Sequence, residues 1–257
     1  MMEIRAIQRA EAPAFLRLLC EVFELDYDRA EGIFFNEPMF DLRRKWALFD
    51  EGVMTSILTT VPLEFGWGKS IGIAGVATRV SRQGQGLAES LLKSVLSESE
   101  KQGESSAWLF AKEQGLYARC GFEVVDEVIR GPLESAGDDS LKDMWSFDEI
   151  RSSYDSWAMR DPSRLRRTDQ RWKYWKWNLR VCTPFDGGYI CHEGKQIREC
   201  VVEHRRKPWL FPPDSEWMGL KTMADRMELP LTESVSELYL MGRKVPGIPQ
   251  LFMTDQF

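Results

Sequence analysis

Residues 81–88, Ser-Arg-Gln-Gly-Gln-Gly-Leu-Ala, stand between a strand-like run and a helical repeat. Glycines at such a junction let the backbone come close to a bulky anion, and the free amide hydrogens of the first helical turn, with the helix dipole, stabilise its charge. A pyrophosphate meets those requirements. The segment is not the dinucleotide fingerprint, because Glu89 stands where the third glycine of G-x-G-x-x-G belongs, and it lacks the Gly-Lys-Ser/Thr end of a P-loop. Taken alone, it fits a plain tight connection equally well. Other chemistry is sparsely provided. With only His192 and His204, a zinc site of His and Cys ligands or a histidine-based triad has few members to draw on, and no metal is expected. Cys20, Cys120, Cys182, Cys191 and Cys200 contain no Cys-x-x-Cys pair and read as reduced, mostly buried thiols.

The elements around the turn follow from periodicity. Glu3 to Ile7 alternates like a strand, and Phe15, Leu18, Leu19, Val22 and Phe23 recur at helical spacing. Strands are expected over 45–49, 53–62 and 70–80, the first two joined through Asp50-Glu51-Gly52. Leu87, Leu91, Leu92, Val95 and Leu96 mark a helix ending near Gly103; a strand at 107–110, a short helix at 114–120 stopped by Gly121, and a strand at 122–129 complete the order βαβββαβαβ. Turn formers and polar residues at 131–139 predict a boundary between a first domain, 1–133, and a second, 140–257. Beyond it, Ser146 and Glu149 are spaced as the capping box of a helix, 164–179 reads as a second helix, and 189–191, 197–202, 238–241 and 251–253 are strand-like.

With its flanks, the glycine turn resembles the acyl-CoA-binding motif of the GNAT acetyltransferases, Gln/Arg-x-x-Gly-x-Gly/Ala, with Ser81 departing from the first position. Residues 113–122, Glu-Gln-Gly-Leu-Tyr-Ala-Arg-Cys-Gly-Phe, resemble that family's Tyr-x-x-x-Gly-Phe segment; together with Gly75-Val76-Ala77-Thr78 they look most like the enhanced intracellular survival (Eis) acetyltransferases. Tyr154, Pro162, Leu165, Arg167 and Trp175 loosely match the opening of the degenerate GNAT-like second domain of that family. The resemblance implies a GNAT fold, a mixed and mainly antiparallel sheet flanked by helices, followed by a smaller GNAT-like domain that walls the acceptor cleft, without the sterol-carrier-like third domain. It implies acetyl-CoA as cosubstrate, with Val76, Ala77 and Thr78 along the pantetheine arm, Arg82, Gln83, Gly84, Gln85, Gly86, Leu87 and Ala88 around the pyrophosphate, and Lys112 and Glu113 where the arm and thioester pass.

Acetyl transfer to an amine needs a neutral nucleophile, a stabilised oxyanion and a proton for the departing thiolate. The resemblance assigns that proton to Tyr117, a phenol protonated at neutral pH; the plain alternative is a ring packed under the sheet. Glu37 and Glu64 are candidate bases, each also readable as a solvated charge. Some Eis-like enzymes use a terminal carboxylate, here that of Phe257, but the domain that delivers it there has no counterpart in this length. The expected acceptor is a small-molecule or peptide primary amine. The rival in another class is a GNAT-fold sensor that binds acyl-CoA without turnover.

A net charge of −6 opposes nucleic acid and anionic membranes, and no run reaches a membrane span, so a cytoplasmic protein is expected, with self-association into a homo-oligomer left open. The basic and aromatic stretch 160–180 reads as one amphipathic helix with its cations on the solvated side, and not as a nucleic-acid surface.

Overall fold

Strand β1 (Met2–Ala6) leads into helix α1 (Ala12–Phe23), which carries Pro13 in its first turn and buries Phe15, Leu16 and Leu18. Here, as throughout, the computed structural model describes residues 1–134, 145–178, 181–185, 187–202 and 211–257. A second helix follows at once: α2 (Tyr27–Asn36), started by Asp26, whose carboxylate accepts the Arg29 amide at 2.8 Å. Periodicity misses it because Phe34 is its one buried residue while Ile33 and Phe35 face outward, so no apolar stripe marks it. The meander β2 (Lys45–Asp50), β3 (Val53–Phe65) and β4 (Gly68–Thr78) is antiparallel as expected. Helix α3 (Leu87–Lys101) lays Leu87, Leu91, Leu92, Val95 and Leu96 on the sheet, and β5 (Ser106–Ala111), α4 (Gly115–Arg119) and β6 (Glu123–Pro132) follow.

The second half opens with α5 (Phe147–Met159), whose Ser146 and Glu149 form the expected capping box. Helix α6 is shorter than the expected 164–179: it runs Asp169–Trp177 from a Thr168 cap, and Leu165 lies ahead of it in an extended stretch bridged to Gln250. Leu179 and Arg180 lie outside the described residues. Strands β7 (Val181–Phe185), β8 (Gly188–Glu193), β9 (Gln196–Val202) and β10 (Glu216–Leu220) are followed by α7 (Lys221–Met227) and β11 (Val235–Arg243). The stretch 251–253, expected as a strand, is instead a buried tail that ends in a 3-10 turn at Met253–Asp255.

One sheet of eleven strands, ordered β1-β2-β3-β4-β5-β11-β6-β10-β9-β8-β7, spans both halves. Strand β11 inserts between β5 and β6, and β6 pairs antiparallel with β10. Gly131 and Pro132, taken from sequence as the start of a break, end β6 in register with Trp217 and Glu216; residues 135–139 of that break lie outside the described residues. Gly131 is needed there because a Cβ would sit 2.0 Å from the Glu233 carbonyl oxygen.

Two further expectations change. Cys182 and Cys191 stand directly opposite each other on β7 and β8, with Cα atoms 4.2 Å apart, and are joined as a disulfide; Cys20, Cys120 and Cys200 are free and buried. Cross-strand register, invisible in spacing, brings the pair together. Arg167 and Arg171, assigned from sequence to a solvated helix face, are buried. Among the described residues no helix is long and apolar enough to cross a membrane.

Candidate active site

The glycine turn forms the wall of a cleft of about 320 Å³ lined by Val76, Thr78, Arg82, Gln83, Gly84, Gly86, Leu87 and Ala88, with Val22, Glu89, Leu116 and Arg119. Gly84 and Gly86 both hold φ near +75°, in the left-handed region, and a Cβ on either would meet nothing within 4 Å. At both positions the cleft wall is bare backbone, and Gly86 is the cap of α3. The first amides of α3 have no partners within the helix and carry the positive end of its dipole, which fits the turn to an anion.

Strand β4 supplies the second feature. Its parallel ladder with β5 ends at Ile73 opposite Leu109, yet β4 continues to Thr78, while β5 ends at Ala111 and pairs along Ala107–Ala111 with β11 on its other edge. The edge of β4 toward β5 is therefore open from Ala74 onward. On its other edge a bulge sets three steps of β4, Ala74 to Ala77, against two of β3, Thr59 to Ile57, with Gly75 at φ 57° inside it. Open amides and carbonyls on one side and a bulge on the other make a groove fit for an extended amide-bearing chain such as pantetheine.

Not every expected residue joins this cleft. Ala77 is buried under α1, on the far side of the sheet from the α3 core, so only its backbone is at hand. Gln85 is exposed and accepts a 3.1 Å hydrogen bond from Arg82, whose guanidinium also reaches Asp50 at 2.7 Å. Lys112 and Glu113 are exposed beyond β5 and do not line the cleft. Tyr117 packs on the α3 core, its ring 6.2 Å from that of Phe122, and burial pushes its phenol above the usual value near 10. The same short helix places Arg119 in the lining, paired with Glu89 at 2.9 Å. Its only signal in the sequence is a cation two positions after the motif tyrosine, to which spacing alone attaches no role.

Across β4 lies a larger cavity of about 550 Å³, reached from the bulge, because Ala74 and Gly75 line it while Val76 and Thr78 line the first cleft. Its walls come from α1, α2, β3, α6 and the tail, including Leu19, Ile33, Phe34, Val61, Tyr174 and Phe257. The Phe257 ring rests on Gly72, where a Cβ would lie 2.4 Å from it, and 5.3 Å from the Phe110 ring. Glu37 belongs to this lining, 3.3 Å from the buried ammonium of Lys45; Glu64 does not. Burial pulls Lys45 below the ordinary lysine value against the opposing field of Glu37.

The tail is fixed by a buried ionic cluster. Arg167, fully enclosed, pairs with Glu199 at 2.6 Å and Asp255 at 2.7 Å and stacks 3.7 Å from the Tyr154 ring. Arg171 reaches the Pro62 carbonyl at 3.0 Å and the Asp255 carbonyl at 3.3 Å, so one guanidinium ties β3 to the tail at the cavity wall. Trp175, Thr254 and Tyr189 donate to Glu199. Among the described residues no group of three or more His, Cys, Asp or Glu is placed to hold a metal ion.

Residues 3–125 match the family described as acetyltransferase (GNAT) domain. Among solved structures, the chain is similar to a GCN5-related N-acetyltransferase from Kribbella flavida, with a TM-score of 0.71 at 14% identity over 94% of this chain and 70% of that one. It is also similar to one from Anabaena variabilis, with TM-score 0.66, 15% identity and coverage of 95% and 72%. Eis1 from Mycobacterium abscessus aligns with TM-score 0.64 and 14% identity over 93% of this chain and 73% of that one. At such identities the likeness is one of fold, and it spans both halves of this chain. No curated protein matches the sequence.

Proposed function

We propose, from the premise that the first half of this chain belongs to the GNAT acetyltransferase superfamily, that the protein transfers an acetyl group from acetyl-CoA directly to a primary amine. The observation that carries this reading is the junction at β4, where a backbone-lined anion cleft and a separate cavity meet within consecutive residues, Ala74 to Thr78. Successive strand residues advance ~3.3 Å, so a thioester held along the β4 edge lies within a few ångströms of an amine seated in the cavity, which is what direct transfer requires.

Acetyl-CoA supplies the activated acyl group. The chain's own residues do the rest: amides of Gln83 to Ala88 bind the pyrophosphate, Arg119 adds positive charge beside it, and the open edge of Val76 and Thr78 pairs with the arm. The Tyr117 hydroxyl holds the proton for the departing sulfur; as a phenol it is protonated at neutral pH, and burial raises its pKa further. In this reading the tail and α6, held by Arg167 and Arg171, form the acceptor wall that a second domain was expected to provide.

Tyr117→Phe is expected to lower kcat about 100-fold, within the usual range for a lost general acid, while leaving the dissociation constant of CoA unchanged. Thiol release under saturating acetyl-CoA and calorimetric CoA binding check the two halves of this statement. Unchanged kcat removes Tyr117 from the acid role. Tight CoA binding with no thiol release from any primary amine favours the sensor.

A further inference from the structure

The acceptor cavity has a chemistry of its own. Three acidic side chains, Glu24, Asp26 and Glu37, and three basic ones, Arg29, Lys45 and Arg171, border it, so the formal charges of its side chains balance. Several are already engaged: Glu37 with Lys45, Asp26 as the cap of α2, and Arg171 with the Asp255 and Pro62 carbonyls. Lys45 is itself a buried cation, its ammonium 4.9 Å from the centre of the Phe34 ring. The remaining wall is hydrocarbon, and Leu25 and Ile33, both about half exposed, extend it to the rim.

We infer that the acceptor is a small monoamine with an aromatic or aliphatic body, and not a polycation; this rests on the amine-acetylating reading above. A polyamine would bring several charges to a lining whose acidic side chains are each matched by a basic one and set one near Lys45, where burial weakens screening and like charges repel strongly. A hydrophobic monoamine removes apolar wall and apolar ligand from water together, the main source of affinity in a pocket of this size. It also gains a chemical advantage, since an apolar, locally cationic site favours the neutral amine that attacks. The Phe257 ring on Gly72 closes the inner end beside the open edge of β4, so the body of the amine extends outward toward α2.

The test is calorimetric titration of the CoA-bound protein with 2-phenylethylamine, spermidine and a lysine-containing peptide, which reads the cavity without turnover. Phenylethylamine is expected to bind at least ~10-fold more tightly than spermidine, about 1.4 kcal/mol, and more tightly than the peptide. Ile33→Glu, a rim substitution at an exposed position, is expected to weaken phenylethylamine about fivefold through lost apolar contact and to strengthen spermidine, a reversal that loss of structure does not produce. Equal or tighter binding of spermidine, or of the peptide, by the unaltered protein overturns the inference. Thiol release with the same amines tests the transfer reading separately: selective binding without release leaves the cavity assignment standing and removes the transfer.

Discussion

Gly84→Glu is expected to abolish the stabilisation that CoA gives this protein. At 100 times its dissociation constant a ligand specific for the native state adds ~2.7 kcal/mol, or roughly 5–10 °C in Tm for a chain of this size. The substitution places a carboxylate on the wall of the anion cleft, where Gly84 holds φ 75° with open space where a Cβ would project. Repulsion between unit charges ~4 Å apart at an effective dielectric constant near 20 is about 4 kcal/mol, enough for more than a 100-fold loss of affinity. The left-handed backbone adds ~1–2 kcal/mol of strain to the unliganded protein, so the comparison is each protein with and without CoA. A CoA-induced rise in Tm equal to that of the unaltered protein contradicts the assignment of the turn to the pyrophosphate.

Arg167→Met is expected to cost roughly 3–5 kcal/mol of stability, the usual consequence of removing one partner from a buried ion pair. Glu199 and Asp255 are both fully enclosed, and Arg167 spans them. Methionine keeps much of the volume but leaves Glu199 without its cation. Urea denaturation reads the loss directly, and a midpoint unchanged from the parent protein refutes the placement of this cluster at the centre of the second half. A pH dependence follows from the same geometry. Burial alone would push Glu199 up, but the charge of Arg167 and hydrogen bonds from Arg167, Thr254 and Tyr189 outweigh it and hold the carboxyl below its ordinary value. A group depressed in the folded state adds stability that is present above its unfolded pKa, ~4.3 for glutamate, and is lost as pH falls through the folded value. The unfolding free energy should therefore decline below about pH 4, and Glu199→Gln should flatten that acid limb; an identical limb in the variant removes Glu199 as its source.

The first half was largely legible. The meander, the helix from Leu87 and the short helix around Tyr117 follow from local alternation, three-and-four spacing and glycine punctuation, which are properties of contiguous residues. The glycine turn was legible for the same reason: it is contiguous, so spacing alone gathers Gln83, Gly84, Gly86, Leu87 and Ala88 on one wall of the cleft. Helix α2 was not, since it buries little of itself, and with it went the outer wall of the larger cavity. Arg160, Lys173 and Lys176 are exposed as expected, but Arg167 and Arg171 were misread, because a helical repeat reports which face is apolar and nothing about a carboxylate brought in from a distant strand. Arg167 meets Glu199 and Asp255 only after β9 and the tail have packed against α6.

The sequence by itself determined the cleft proposed for acetyl-CoA, a strand, glycine turn and helix that present main-chain groups and whose order in space is their order along the chain. Tertiary structure alone decided the larger cavity proposed for the acceptor. The lining of that cavity comes from α1, α2, β2, β3, β4, α6 and the tail, separated by up to about the whole length of the chain, and the balance among its charged side chains is one that no local pattern links. Backbone amides need only a turn to converge, whereas a pocket of side chains converges only when the elements bearing them have buried their apolar faces against one another.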